Sequence, residues 1–395
     1  TTFRNWLVDH IAEGRRGSAD LVAYFFLRAW SILRKEGGFG LLAVNTISEG
    51  DTRQVGIEPM VSSGAVIHAA YPNESWPGKA AVMTSRVHVH KGEWNGARKL
   101  LGRAVPFISA FLSAREDWSP KRLKSNEGKA FIGSYVLGMG FVLTPDEAEK
   151  MLDADPRNAD VIFPYINGED LNSEPEQRPS RWVINFWDWP EERARSYELP
   201  WQWIETRVKP ERQRRNEDGK YVLRNPLPER WWHYADKRPA FYHAIGRGYH
   251  FSLHPKGWAP DSCRIERVFC LSRVSKFLAP AVTPSNYVWS DSMVIFRSDS
   301  FAFLGLLFSQ IHEVWVRKNS SRLESQLRYT PSDALETLPF PNVSLKNLET
   351  IAKEFADARA AVCLDKNMGI TEIYNRLHNN SERNPHIENL RALKR

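Results

Sequence analysis

Cysteine is scarce, with three in 395 residues, at Cys263, Cys270 and Cys363. Their scatter supports neither a disulfide framework nor a zinc knuckle, and it fits a reducing cytoplasm. No run of eighteen apolar residues occurs, so no membrane-spanning helix is expected. The chain opens Thr-Thr-Phe-Arg-Asn-Trp, without Met and without a basic-then-apolar leader, and reads as a segment of something longer. Internal repeats and low-complexity tracts are missing too.

Positive charge and tryptophan are present in excess. Lys and Arg total 54 against 47 Asp and Glu, a net charge of +7. This balance favours a polyanionic partner without establishing one. Fifteen tryptophans serve cores and interfaces, and flat rings also stack on nucleotide bases.

Along the chain, residues 18–35 read as a helix with Ser18 as N-cap and Val22, Phe25, Phe26, Ala29, Ile32 and Leu33 on one face. Gly37-Gly38 stops it, and Phe39 to Val44 reads as a buried strand ending at Asn45-Thr46. A short helix is expected over 50–63. Strands follow over Ala65–Ala70 and Ala80–His90, separated by a loop at 71–79. Helix, strand, helix, strand, loop, strand is half of a doubly wound α/β sheet ending in an antiparallel hairpin.

Beyond residue 100, apolar runs shorten and turn residues and tryptophans crowd in, which predicts an α+β region. Arg207 to Lys220 reads as a helix end plus an exposed basic loop. Val268–Val274 and Ser292–Phe296 read as strands. Ser300–Lys318 reads as a helix burying Phe303, Leu306, Leu307, Ile311 and Val314. Leu345–Val362 and Thr371–Leu377 are expected to be helices joined by a short turn.

Several stretches together resemble a known family. Ser18-Ala-Asp-Leu-Val, followed by Gly37-Gly-Phe-Gly-Leu-Leu-Ala-Val-Asn-Thr, looks like the segment after the catalytic motif of gamma-type adenine-N6 DNA methyltransferases. Ser75-Trp-Pro-Gly-Lys resembles the later motif that places an aromatic ring beside a flipped base. Phe131-Ile-Gly-Ser-Tyr-Val-Leu-Gly-Met-Gly-Phe, Pro164-Tyr-Ile-Asn-Gly-Glu-Asp-Leu, Arg328-Tyr-Thr-Pro-Ser-Asp and Leu338-Pro-Phe-Pro resemble the recognition region of fused type II restriction–modification enzymes. Thr371-Glu-Ile-Tyr-Asn-Arg-Leu-His is similar to their helical tail. The family's glycine-containing cofactor loop and its Asn-Pro-Pro-Tyr motif do not occur here. Gly138-Met-Gly140 lacks the strand–loop–helix context of such a loop.

The resemblance implies a fold of α/β followed by α+β. Residues 1–100 are expected to form the C-terminal half of a doubly wound methyltransferase sheet. Residues 101–342 would form a mixed target-recognition domain, and 343–395 a helical extension. The implied partner is double-stranded DNA, with no membrane, in a bacterial cytoplasm. The implied cofactor is S-adenosylmethionine, with most of its site, and the methyltransferase's other half, in a parent protein that also has room for a nuclease domain.

Candidate residues follow from the chemistry. Methylating an exocyclic adenine amine requires the base to leave the duplex, and Trp76 is the candidate to stack on it; the alternative is a ring packed over the hairpin. The resemblance implies that Asp20 starts the helix lining the cofactor cleft, with a helix-capping or first-turn acid as the competing reading; Asn45, at a strand's carboxyl end, is a candidate to border the pocket. Arg322-Leu-Glu324-Ser-Gln326-Leu-Arg328 alternates long polar side chains with leucines, so a strand there would present Arg322, Glu324, Gln326 and Arg328 to base edges, or a salt-bridged surface. Arg273, Lys276, Arg212, Arg214 and Arg215 are candidate phosphate contacts. His88-Val-His90 has chelating spacing but no third ligand nearby, and is read as a half-buried strand. Glu147-Ala-Glu149-Lys150 is set aside as a nuclease motif because it sits on a helix. The competing functions are a non-catalytic specificity module, similar to type I specificity subunits, and an RNA methyltransferase.

Overall fold

The computed structural model describes residues 2–80, 82–115, 120–259, 265–320, 322–323, 326–341 and 346–394. The chain divides into two compact units, 1–121 with 316–334, and 122–315 with 335–395. The expected helical extension therefore belongs to the same unit as most of the central region.

The first unit begins with α1 (Thr2–His10) and α2 (Leu21–Ile32). The cap of α2 is Asp20, whose carboxylate accepts from the Val22 N–H at 3.3 Å, and not Ser18, whose N–H donates to Asp51 at 2.5 Å. Its inward stripe is Ala23, Tyr24, Phe26 and Leu27, whereas Phe25 and Ile32 are 69% and 68% exposed. The helix is apolar on nearly every side, so its periodicity was compatible with more than one inward stripe. The register is set by strand β1 (Gly37–Val44), where Phe39 meets Phe26 edge-on at 5.9 Å.

Beyond a 3-10 turn at Asn45–Ser48 come α3 (Gly50–Val55), α4 (Ile57–Ser62), β2 (Ala65–Ser75) and β3 (Met83–Lys91), then β4 (Arg98–Leu100) and β5 (Arg103–Val105). The sheet order is β1-β3-β2-β4-β5. Strand β3 runs antiparallel to both β1 and β2, so those two run parallel, with α3 and α4 in the crossover. The hairpin turn is shifted from the expected loop: β2 runs past Ala70 to Ser75 and β3 starts at Met83 instead of Ala80, leaving a turn at 76–82. Val87 and Val89 enter the core, while His88 and His90 occupy the opposite face of β3. There His68 stacks on Trp94 at 4.2 Å, and His90 tilts against the same ring. Gly40 makes room for this: a Cβ there would come within 2.7 Å of the His88 ring.

The second unit holds two four-stranded sheets. One is ordered β13-β8-β9-β7 and the other β12-β10-β14-β6. Their strands are β6 (Ala130–Ile132), β7 (Val142–Leu143), β8 (Ile162–Ile166), β9 (Arg181–Ile184), β10 (Arg267–Ser272), β12 (Ala281–Pro284), β13 (Val288–Trp289) and β14 (Met293–Phe296), with a short β11 (Val274–Ser275) between β10 and β12. Around them pack α5 (Pro145–Ala154), α6 (Gly168–Ser173), α7 (Glu191–Arg195), α8 (Glu198–Arg207), α9 (Lys209–Arg212), α10 (Pro239–Ala244) and α11 (Phe301–Phe308). Much of the tryptophan excess is core: Trp187, Trp189, Trp201, Trp231, Trp232 and Trp289 are all buried.

Three expectations need correcting here. The helix expected over 300–318 breaks at Ser309, whose extended backbone separates α11 from α12 (Gln310–Asn319). The break rotates the second half, leaving Ile311 and Val314 76% and 67% exposed. The expected strand at 322–328 is instead an antiparallel hairpin of β15 (Arg322–Leu323) and β16 (Gln326–Arg328). After α13 (Pro331–Ala334), α14 (Lys346–Lys366) and α15 (Ile370–Leu377), a further helix that the sequence reading missed, α16 (Pro385–Lys394), ends the chain. Among the described residues no helix is long and apolar enough to cross a membrane.

Candidate nucleic-acid interface

The β15–β16 hairpin alternates as its sequence requires: Gln326 and Arg328 are exposed and Leu327 between them is buried. Arg322 pairs across the hairpin with Leu327; its side chain and all of Glu324 lie outside the described residues. In the second unit Arg273 follows β10, half-buried, its N–H donating to the Ser292 carbonyl at 2.7 Å. Lys276 is exposed and donates to the Asn375 side chain at 2.8 Å.

The basic cluster at 212–215 is not uniform. Arg214 and Arg215 stand on an exposed loop, with Arg215 donating to the Gly219 carbonyl at 2.7 Å. Arg212 is a correction, because it is 1% exposed. Its Nη2 donates to the carbonyls of Val136 and Leu137 at 2.8 and 2.7 Å, and burial pulls its pKa down. It staples the chain reversal at Leu137, which has a φ of 52°, and is not placed to meet a phosphate.

Two exposed arginines were missed. Arg193 lies over the Trp189 ring at 3.5 Å and Arg207 over Trp203 at 3.3 Å. The signal was a repeated Trp-x-x-x-Arg: in α8 the spacing sets both side chains on one helix face, and Trp189 stands just ahead of α7, which carries Arg193. Stacking holds a guanidinium flat with its N–H fork directed outward, the geometry that suits a phosphate.

Trp76 opens the 76–82 turn, its N–H donating to the Val82 carbonyl at 3.0 Å, and its side chain is 42% exposed. The ring folds back over Gly78, where a Cβ would collide with the indole nitrogen. Asp20 and Asn45 are both committed locally. Asp20 caps α2, and its N–H donates to Thr52 Oγ1 at 3.1 Å; the Asn45 amide donates to Glu49 at 3.3 Å. The bonds use one carboxylate oxygen of Asp20 and the NH2 group of Asn45, so both residues serve local structure, and two such residues alone do not make up a cofactor site. A thiol nucleophile has no support either: Cys270 is buried and burial pushes it up to about 12, and Cys363 is also pushed up by burial. Cys263 lies outside the described residues.

Comparison with known proteins bears on the region around β10 to β16. Residues 260–342 match the family described as the MmeI target recognition domain. No curated protein matches the chain. Among solved structures, the type IIL restriction–modification enzyme MmeI in complex with DNA is 15% identical with a TM-score of 0.69, covering 98% of this chain and 50% of that one. The type IIG restriction endonuclease BpuSI covers the same shares at 9% identity, but its TM-score of 0.31 is too low to argue from. The chain thus spans about half the length of the solved structures it matches. It has the fold of the corresponding half of MmeI, and within it residues 260–342 match that enzyme's target recognition domain.

Proposed function

We propose that this chain carries the DNA target-recognition part of a restriction–modification methyltransferase that acts on adenine N6. The observation that carries the reading is the match of residues 260–342 to the MmeI target recognition domain, within a chain that shares the MmeI fold. In this reading, Gln326 and Arg328 on β16 present hydrogen-bonding groups to base edges, joined by Arg322 of β15 and by Glu324, next along the sequence. Arg bonds guanine and Gln bonds adenine in the major groove. Arg273, Lys276, Arg214 and Arg215, with the stacked Arg193 and Arg207, neutralise phosphates and set the register.

The methyl transfer belongs to the whole protein. Bound there, S-adenosylmethionine would supply the methyl group. This chain's contribution would be the partly exposed ring of Trp76, stacking on an extruded adenine and offsetting part of the few kcal/mol of unstacking. The parallel pair β1 and β2 with its helical crossover supports the enzyme reading over a pure specificity module, which has no need of a half-sheet of this kind.

Fluorescence anisotropy of the 395-residue chain with labelled duplexes tests the reading. Binding is expected to weaken steeply with salt, because neutralised phosphates release counterions, and to discriminate among duplex sequences. Equal affinity for every duplex would sink the recognition role. The chain alone is expected to give no calorimetric signal with S-adenosylmethionine; micromolar binding would locate a cofactor site within it.

A further inference from the structure

A cleft of about 440 Å³ opens in the second unit between the 175–178 loop, the β10–β12 pair, Phe301 of α11 and the middle of α14. Four cations line it: Arg178, Arg267, Lys353 and Arg359. Two of them are paired, Arg178 with Glu176 at 3.1 Å and Lys353 with Asp357 at 3.1 Å. The other two are guanidiniums without such a partner among the described residues.

Arg359 is 2% exposed. Its Nη2 donates to the Pro280 carbonyl at 2.6 Å and its Nη1 to the Tyr374 hydroxyl at 3.3 Å, while Nε finds no hydrogen-bond partner. A buried cation held only by neutral groups is costly unless an anion completes it. Arg267 reaches the same cleft from its exposed position, over the Phe301 ring at 5.0 Å, with one long contact of 3.4 Å to the Asp299 carbonyl. It also feels the charge of Glu349, but that carboxylate is committed to the backbone N–H groups of Phe301 and Ala302.

We propose that this cleft binds a phosphate group, with Arg359 at its inner wall and Arg267 on its rim. Arginine forks match phosphate oxygens two at a time, and a phosphate in the cleft would supply Arg359 with the anionic partner it lacks while Arg267 closes on it from the rim. The phosphate can belong to a DNA backbone or to a free nucleotide. The assignment does not depend on whether the chain reads bases.

Equilibrium dialysis of the 395-residue chain against radiolabelled orthophosphate, at constant ionic strength in chloride, tests it. Saturable binding is expected, weakened about tenfold by Arg267→Ser, as fits the loss of a charge-assisted hydrogen bond. Arg267 is exposed, so that variant should keep its circular dichroism spectrum; Arg359→Lys provides a second variant that preserves charge but not the fork, and it should also weaken binding. Displacement by a short duplex identifies a backbone phosphate, and displacement by adenosine monophosphate but not by duplex identifies a free nucleotide. Absence of saturable binding, binding unchanged in both variants, or displacement by neither competitor, which marks an adventitious ion only, overturns the proposal.

Discussion

The carboxylate of Glu349, near the start of α14, accepts from the backbone N–H of Ala302 at 2.7 Å, so one helix caps the N-terminus of another. The same group accepts from the Phe301 N–H and the Ser300 hydroxyl, each at 3.0 Å. Burial raises the Glu349 pKa, but these hydrogen bonds outweigh it and hold the carboxyl below its ordinary range. A folded-state pKa that is depressed stabilises the protein above the unfolded value and is lost as pH falls through the folded one. Glu349→Gln is therefore expected to cost about 1 kcal/mol at neutral pH. The difference between variant and parent should shrink in acid. Urea unfolding of both proteins at neutral and acidic pH checks this; a penalty independent of pH would show that the charge is not what matters.

Acid should also act through three histidines. Burial pulls His233 and His312 down to about 4 and His250, which stacks on Trp187 at 4.4 Å, down to about 3. Their ordinary value is 6.5, so below it the unfolded chain takes up protons that the folded chain refuses. Stability in the second unit should then fall as pH drops from 6.5 towards 4, by up to ~1.4 kcal/mol per pH unit for each histidine. Denaturant midpoints across that range measure the slope, and a flat profile would mean that these rings are protonated in the fold.

Gly133 lies where a chain passes against backbone. A Cβ there would overlap the Ser290 carbonyl oxygen and come within 2.5 Å of that of Trp289. Neither oxygen can move without breaking a strand contact, since Ser134 donates to the Trp289 carbonyl at 2.8 Å and bridges to Ser290. Gly133→Ala is expected to destabilise by about 2 kcal/mol or more, read as a lower denaturant midpoint. Gly219→Ala, at a φ of 74° in an exposed turn with open space around it, serves as a contrast, since it adds left-handed backbone strain with no steric contact.

Elements were more legible in the sequence than faces and partners. The alternation of helix and strand through residue 91 was readable because each has its own hydrophobic period. Which stripe of α2 turns inward was not, because Phe25 and Phe26 are equally apolar and only contact with Phe39 chooses between them. Arg212 sat in a charge run that reads as solvated surface, yet its carbonyl partners lie 75 and 76 residues earlier, a distance no local pattern encodes. The break at Ser309 had no Pro or Gly to mark it. The stacked pairs Trp189–Arg193 and Trp203–Arg207, by contrast, were written in the spacing and overlooked.

The β15–β16 hairpin and the 213–215 loop should respond differently to substitution if one reads bases and the other holds phosphates. Removing a side chain that contacts base edges costs about 1–3 kcal/mol on the preferred duplex and relaxes the preference at one position. Removing a phosphate contact weakens all duplexes alike and lowers the salt slope by about one. Arg328→Ala, Gln326→Ala and the pair Arg322→Ala with Glu324→Ala are expected to behave in the first way, and Arg214→Ala in the second. Arg212→Met should do neither: it should lower stability by removing the staple at Val136 and Leu137 while leaving the affinity of the folded fraction unchanged. Anisotropy titrations on a panel of duplexes at several salt concentrations separate the three classes. Uniform loss of affinity in the hairpin variants would place β16 against the DNA backbone and move sequence reading elsewhere in residues 260–342.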